Sequence, residues 1–177
     1  MIEAYDDFFP EHTQHQIYTF LMDTGGWRLH GGCPTNRFWH FDGLEEIDYF
    51  NDFLYKEIRA RLNVLYHQPS KFWKNKKISG FDRIYANGQT AGQCGTPHTD
   101  DGDLTFLYYP NPEWGTDYQG HLIFLNTADS EVDRIVEYKS NRALLFDGKV
   151  PHYADAPSRC YNDLRISLAY KLRGEHG

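Results

Sequence analysis

The sequence contains few cysteines, no long apolar segment and fewer basic than acidic residues. Its three cysteines, Cys33, Cys94 and Cys160, are odd in number and form no Cys-x-x-Cys pair, which favours free thiols in a reducing compartment. No run of 18 apolar residues is present, so no membrane span is expected. The first seven residues are acidic and contain no apolar signal segment, and the expected location is therefore cytoplasmic.

Basic residues are also scarce, with 18 Lys and Arg against 25 Asp and Glu, for a net charge of −7. Nucleic acid is not expected as a partner, because phosphate binding needs a basic face. The basic stretch 71–77 could contact an acidic ligand, but a solvated loop is the favoured interpretation. The 177 residues contain no repeat and no linker, which predicts one domain spanning 1–177.

Two helices are predicted in the first third of the chain. In 11–23, Ile17, Phe20 and Leu21 share one face, and a glycine pair ends the segment. In 44–66, apolar residues recur every three or four positions and form a stripe typical of a core-packing helix.

Short β-branched and aromatic segments separated by turn residues follow Pro69. The predicted strands are 78–86, 104–109, 120–126, 135–138, 142–146 and 164–172. Many short strands at this spacing indicate a sandwich or barrel. The expected fold class is α+β, with N-terminal helices packed on one face of a β unit.

The pair His98 and Asp100 is the sharpest local motif. Residues i and i+2 of an extended chain point to the same side, so an imidazole and a carboxylate at this spacing can hold one cation. His152, which follows a predicted strand and its turn, is a candidate third ligand. Two histidines and one carboxylate, with the remaining positions open, suit non-haem Fe(II) oxygen chemistry.

The alternating strand 165–170 provides a candidate anion site. Arg165 and Ser167 share one face, while Ile166 and Leu168 point to the other. A guanidinium binds a carboxylate through two parallel hydrogen bonds, and the Ser167 hydroxyl could add a third donor.

These residues together resemble the iron(II)- and 2-oxoglutarate-dependent dioxygenases, and the sequence between them is most similar to the prolyl-4-hydroxylase-like branch. The similarity extends over about 78–172 and is carried by the segments 83–89, 104–111, 114–122 and 141–146. It implies a double-stranded β-helix (jelly roll) with a catalytic core over about 78–172 and helical support over about 1–77.

The resemblance also implies the chemistry. His98, Asp100 and His152 would bind Fe(II), and 2-oxoglutarate and dioxygen would take the open positions, with ascorbate as a supporting reductant. Decarboxylation to succinate and CO2 would accompany hydroxylation of an unactivated C–H bond. A peptidyl proline or another protein side chain is the leading substrate class, and a free amino acid or another small molecule is the alternative.

For the co-substrate, the resemblance implies that Arg165 pairs with the C5 carboxylate of 2-oxoglutarate, assisted by Tyr109 and Ser167, and that Tyr85 lines the pocket. The sequence departs from the family pattern at two positions. Gln119 replaces the first glycine of the usual Gly-Gly pair, and Pro110 replaces a leucine after the tyrosine strand.

Other residues compete for these roles. Arg159 is the rival of Arg165, His121 is an alternative metal ligand, and Cys94 near the proposed metal is expected to be an ordinary free thiol. The acidic loop 101–103 could bind a basic substrate, but an exposed turn is favoured.

Two other functional classes stay open at this stage. One is a non-catalytic metal-binding β-barrel module. The other is a metal-dependent hydrolase or isomerase, which would not need Arg165. The oligomeric state is not predicted.

Overall fold

The computed structural model describes residues 2–30, 37–66, 76–128 and 130–176. The strands of these ranges form two antiparallel sheets, one of seven strands and one of three. The larger sheet contains, in spatial order, β1 (Ile2–Tyr5), β8 (Ala143–Asp147), β5 (Leu104–Tyr108), β10 (Arg165–His176), β4 (Lys76–Gln89), β3 (Phe38–Phe41) and β2 (Arg28–His30). The smaller sheet contains β7 (Val132–Val136), β6 (Leu122–Leu125) and β9 (His152–Ala154).

Two α-helices precede β4. Helix α1 (Glu11–Asp23) ends just before Gly25, whose φ of 68° is the left-handed conformation that closes many helices. Helix α2 (Tyr55–Tyr66) continues directly from a π-helical segment, Tyr49–Leu54, which follows a 3-10 turn at Leu44–Glu46. The helix predicted over 44–66 is therefore interrupted, because Ile47 has an extended backbone.

The side-chain alternation of the large sheet separates the core into two layers. Leu104, Phe106 and Tyr108 of β5 pack in the cluster that includes the buried side chains of both helices. Leu107 and Tyr109 point the other way, into the cluster shared with the small sheet. The second layer lies between the two sheets, and the functional side chains described below are found on that side.

The structure alters several strand predictions. The predicted strand 135–138 is found at 132–136. Tyr138 lies beyond it, and its hydroxyl is within hydrogen-bond distance of two acceptors, Asn111 Oδ1 and the carbonyl of Ile166. The short strands β1, β2 and β3 were not predicted, because three or four residues show too little alternation for a pattern to be recognised. The first third therefore contains the predicted helices and, in addition, three short strands.

None of the helices in the described ranges is long and apolar enough to cross a bilayer. Most of the basic stretch, 71–75, lies outside the described residues, as does Cys33. Cys94 and Cys160 are exposed free thiols.

Candidate active site

Backbone pairing brings His98 and His152 together, although they are distant in sequence. The amide of His98 donates to the carbonyl of His152 at 3.0 Å, and the amide of His152 donates back at 2.9 Å. The amide of Asp100 donates to the Gly148 carbonyl at 2.7 Å. This approach requires glycine at 148, since a Cβ there would lie 2.4 Å from the Gly102 carbonyl oxygen.

The side chains of His98, Asp100 and His152 converge, with one ligand atom from each within 4.8 Å of the others. The Nε2 atoms of His98 and His152 lie 3.7 and 3.6 Å from the two Asp100 carboxylate oxygens. Each Nδ1 lies within hydrogen-bond distance of a backbone carbonyl, Thr96 for His98 (2.9 Å) and Val150 for His152 (2.8 Å). A neutral imidazole that donates from Nδ1 presents its Nε2 lone pair, which is the form that binds a metal.

The three residues differ in their exposure. The side chains of Asp100 and His152 are 5% and 6% exposed, whereas that of His98 is 53% exposed. Burial lowers the pKa of His152 to about 4, although the Asp100 carboxylate opposes this shift. His152 is therefore neutral at pH 7, and the site is open to ligands on the side of His98.

A buried lysine, Lys171, completes the surroundings of Asp100. Its ammonium forms an ion pair with Asp100 Oδ2 and donates to Thr105 Oγ1 at 3.2 Å, while the Thr105 hydroxyl donates to the same carboxylate. Burial alone would raise the pKa of Asp100, but the charge of Lys171 and the hydrogen bonds from Lys171 and Thr105 bring it below its ordinary value. The carboxylate is therefore ionised. Lys171 was not predicted as a site residue. It lies six residues after Arg165 on the same strand, and this even spacing places both side chains on one face.

Arg165, at the beginning of β10, is completely buried. Its Nε donates to the Gly120 carbonyl and its Nη1 to Gln89 Oε1, both at 2.8 Å. Its Nη2 has no partner, and no carboxylate of the described residues pairs with it. Gly120 has a φ of 73°, and a Cβ there would lie 2.9 Å from the Arg165 side chain, so only glycine allows this packing.

A second buried donor without a partner lies beside Arg165. The Tyr109 hydroxyl is buried and has no hydrogen-bond partner among the described residues, and the Arg165 guanidinium carbon lies 5.4 Å from the centre of the Tyr109 ring. Burial raises the pKa of Tyr109 to about 12 despite the opposing charge of Arg165, so the hydroxyl keeps its proton. Buried donors without acceptors are costly. A carboxylate between Arg165 Nη2 and the Tyr109 hydroxyl would satisfy both, which is the arrangement expected for an end of 2-oxoglutarate.

A cavity of about 350 Å³ lies beside these groups, and its volume is at the lower end of small-molecule sites. Its wall includes metal-site residues, His98 and Asp100, and two residues next to the arginine, Gln89 and Ser167. Other side chains in the cavity wall are Phe38, His40, Arg83, Tyr85, Asn87 and Asp101. Tyr85 and Ser167, two residues predicted to contact the co-substrate, line this cavity.

The rival residues are placed elsewhere. His121 does not belong to the converging group, and its buried Nδ1 has no partner. Arg159 is exposed on the surface, whereas Arg165 is buried. Cys94 is an exposed thiol. Residues 101–103 form a bend in which both aspartates are exposed, and Asp101 also lines the cavity.

Neither the protein-family models nor the curated proteins give a match to this sequence. Solved structures do match it. A Trichoplax adhaerens prolyl hydroxylase, solved with a hypoxia inducible factor peptide, aligns over 97% of this chain and 83% of its own, with a TM-score of 0.69 and 16% identity. The viral collagen prolyl hydroxylase of Paramecium Bursaria Chlorella virus-1, solved as a 2OG complex, covers 97% and 94%, with a TM-score of 0.63 and 16% identity. OsALKBH1 covers 96% and 97%, with a TM-score of 0.71 and 12% identity.

The chain has the fold of the prolyl hydroxylases. The jelly roll expected from the sequence is confirmed, and the match extends over nearly the whole chain. At identities of 12–16% these matches establish architecture. The catalytic activity has to be inferred from the side chains of the candidate site.

Proposed function

We propose that this protein is a 2-oxoglutarate- and Fe(II)-dependent dioxygenase that hydroxylates an unactivated C–H bond. The observation that carries the proposal is a two-histidine, one-carboxylate group of which His98 and Asp100 line a cavity, together with a buried arginine that has no anion among the described residues and donates to Gln89 in the wall of the same cavity. A structural metal site would not need the second feature, and a simple anion site would not need the first. The full chain would act as one catalytic domain, with the segment 1–77 supporting the core.

Each side chain has a defined role in this proposal. His98, Asp100 and His152 hold the metal, and hydrogen bonds from Nδ1 of both imidazoles keep their Nε2 atoms directed toward it. Arg165 and Tyr109 bind the distal carboxylate of 2-oxoglutarate in a site closed to water. When bound, iron and 2-oxoglutarate couple decarboxylation, which releases succinate and CO2, to insertion of an oxygen atom from dioxygen into the substrate C–H bond.

For the substrate, we propose a prolyl ring, and a peptidyl proline is the leading class. Structures matching this chain include a prolyl hydroxylase with a bound peptide and a collagen prolyl hydroxylase, as their names state, which supports this choice. The small cavity is equally suited to a free amino acid. The exposed side of His98 is where either substrate would approach.

The test is succinate release by the Fe(II)-loaded protein with 2-oxoglutarate and ascorbate, together with 2-oxoglutarate affinity measured by calorimetry. The Arg165→Ala variant should bind 2-oxoglutarate at least about tenfold more weakly, because it loses the charge-assisted hydrogen bond from Nη2, while metal binding persists. Arg159→Ala, which removes an exposed arginine, is the matched control. A thermal melt of each variant confirms that it is folded.

The other two functional classes make different predictions for the same measurements. A non-catalytic module would release no succinate under any condition. A metal-dependent hydrolase or isomerase would keep its activity in the Arg165→Ala variant. Either result would reject the dioxygenase.

A further inference from the structure

Arg83 lies in β4, on the same face as Tyr85, Asn87 and Gln89, and lines the active-site cavity. Its guanidinium carbon lies 4.5 Å from the centre of the Tyr85 ring. Such stacking on an aromatic ring holds the planar group in place while leaving its N–H donors available. Arg83 is exposed, so these donors reach the mouth of the cavity rather than its interior.

No carboxylate of the described residues forms an ion pair with Arg83, although the protein has an excess of acidic residues. The two neighbouring cations, in contrast, each have a carboxylate partner. Lys171, directly opposite Arg83 in the strand register, is paired with Asp100, and Arg173 is paired with Asp82 at 2.6 Å. Asp101 also lines the cavity but does not pair with Arg83. A cation held in place and left without an anion at a cavity mouth is suited to an anion from outside.

We propose that Arg83 binds a carboxylate of the primary substrate at the mouth of the active-site cavity. This inference depends on the proposed function, because it concerns the molecule that is oxidised. The guanidinium matches a carboxylate with two parallel hydrogen bonds, a geometry that an amide or hydroxyl cannot reproduce at the same strength.

Arg83 and His98 line the same small cavity, and this limits where the carboxylate can be within the substrate. It belongs to the residue that is oxidised or to its immediate neighbour. Two sources satisfy this condition. One is the α-carboxylate of a free or C-terminal residue, and the other is an acidic side chain next to the oxidised residue in a peptide.

The experiment measures binding of matched probes to the anaerobic Fe(II)–2-oxoglutarate protein by calorimetry. N-acetyl-L-proline and N-acetyl-L-prolinamide test the α-carboxylate. The capped dipeptides acetyl-Pro-Glu-amide and acetyl-Pro-Gln-amide test the side-chain carboxylate. Each pair differs only in the replacement of a carboxylate by an amide.

In the wild-type protein, the acid of at least one pair should bind about tenfold or more tightly than its amide, as expected for charge-assisted hydrogen bonds. Arg83→Gln should abolish that preference, and Arg83→Lys should retain part of it. Arg59→Gln, which removes another arginine stacked on a tyrosine but outside the cavity, should keep the full preference. The pair that shows the preference identifies the source of the carboxylate.

Absence of any acid preference in the wild-type protein overturns the inference, as does a preference that persists in Arg83→Gln. The proposed function is judged separately, by 2-oxoglutarate affinity and succinate release in the wild-type protein. If the wild-type protein decarboxylates 2-oxoglutarate but shows no acid preference, the role of Arg83 is refuted and the proposed dioxygenase activity is not. Failure to bind or decarboxylate 2-oxoglutarate would refute the dioxygenase.

Discussion

Replacing Lys171→Met tests the electrostatic design of the metal site. The side chains of Lys171 and Asp100 are 6% and 5% exposed, so their ion pair is shielded from water. Methionine fills a similar volume but leaves the Asp100 carboxylate buried without its main counter-charge. Breaking a buried ion pair on one side costs about 3–5 kcal/mol. Thr105 and its hydroxyl remain as a partner of Asp100, so we expect a loss near the lower limit, about 3 kcal/mol.

For a chain of this length, a loss of about 3 kcal/mol corresponds to a decrease in melting temperature of about 6–12 °C in the metal-free protein. Adding Mn²⁺, which supplies positive charge to the same carboxylate, should raise the melting temperature of Lys171→Met more than that of the wild-type protein. The assay is thermal unfolding with and without Mn²⁺, at pH 7.

The double variant Lys171→Met/Asp100→Asn provides the control, because it removes the charge that Lys171 compensates. We expect it to recover most of the stability lost in the single variant, and the difference measures the coupling between the two groups. The reasoning is refuted if Lys171→Met is as stable as the wild-type protein without metal, or if the double variant is no more stable than the single one.

The remaining predictions concern protonation and backbone geometry. The pKa of His152 is lowered to about 4 in the folded state, so its contribution to stability is complete above its ordinary pKa of 6.5 and is lost as the pH falls toward 4. Urea titrations of the metal-free protein should show the free energy of unfolding decreasing by on the order of 3 kcal/mol across this window. The decrease should be smaller in the His152→Gln variant. Replacing Gly120→Ala should cost about 1–3 kcal/mol from its φ of 73° and also weaken 2-oxoglutarate binding, because the new Cβ displaces Arg165. Gly25 has a φ of 68° and no atom near an added Cβ, so Gly25→Ala should reduce stability without changing 2-oxoglutarate affinity. Equal effects of Gly120→Ala and Gly25→Ala on that affinity would contradict this account.

The sequence was sufficient to predict the residues that belong to regular, alternating strands. The prediction of 164–172 as a strand placed Ile166 and Leu168 on the face opposite Arg165, and the structure shows this separation, with both apolar residues in the helix-facing core. The i, i+2 spacing was enough to pair His98 with Asp100. His152 was only a candidate third ligand that the resemblance supported, because spacing alone does not reveal that the backbones of the two histidines pair.

What the sequence did not predict depends on long-range packing. Lys171 looks like a surface residue of the last strand, and only the position of Asp100 at the end of a distant loop makes its burial favourable. Nothing in the local sequence shows that glycine is required at Gly120 and Gly148. A Cβ at Gly120 would meet the Arg165 side chain, and a Cβ at Gly148 would meet the Gly102 carbonyl oxygen, both far away in sequence. Short strands such as β1 form because β8 offers a free edge, which no local pattern records.

The distribution of positive charge on the large sheet is consistent with the proposed binding of a metal and two carboxylates. Arg83, Arg165 and Lys171 lie on one face of two neighbouring strands, which would be unfavourable if none of them had a counter-charge. Lys171 is compensated by Asp100, whereas neither Arg165 nor Arg83 has an anionic partner among the residues that the structure describes. The buried position of Arg165 selects an anion that can enter a closed site, and the exposed position of Arg83 selects one that stays near solvent. Under the two proposed roles, the co-substrate and the primary substrate would be distinguished by depth, since the buried arginine and the exposed arginine would each receive a different carboxylate.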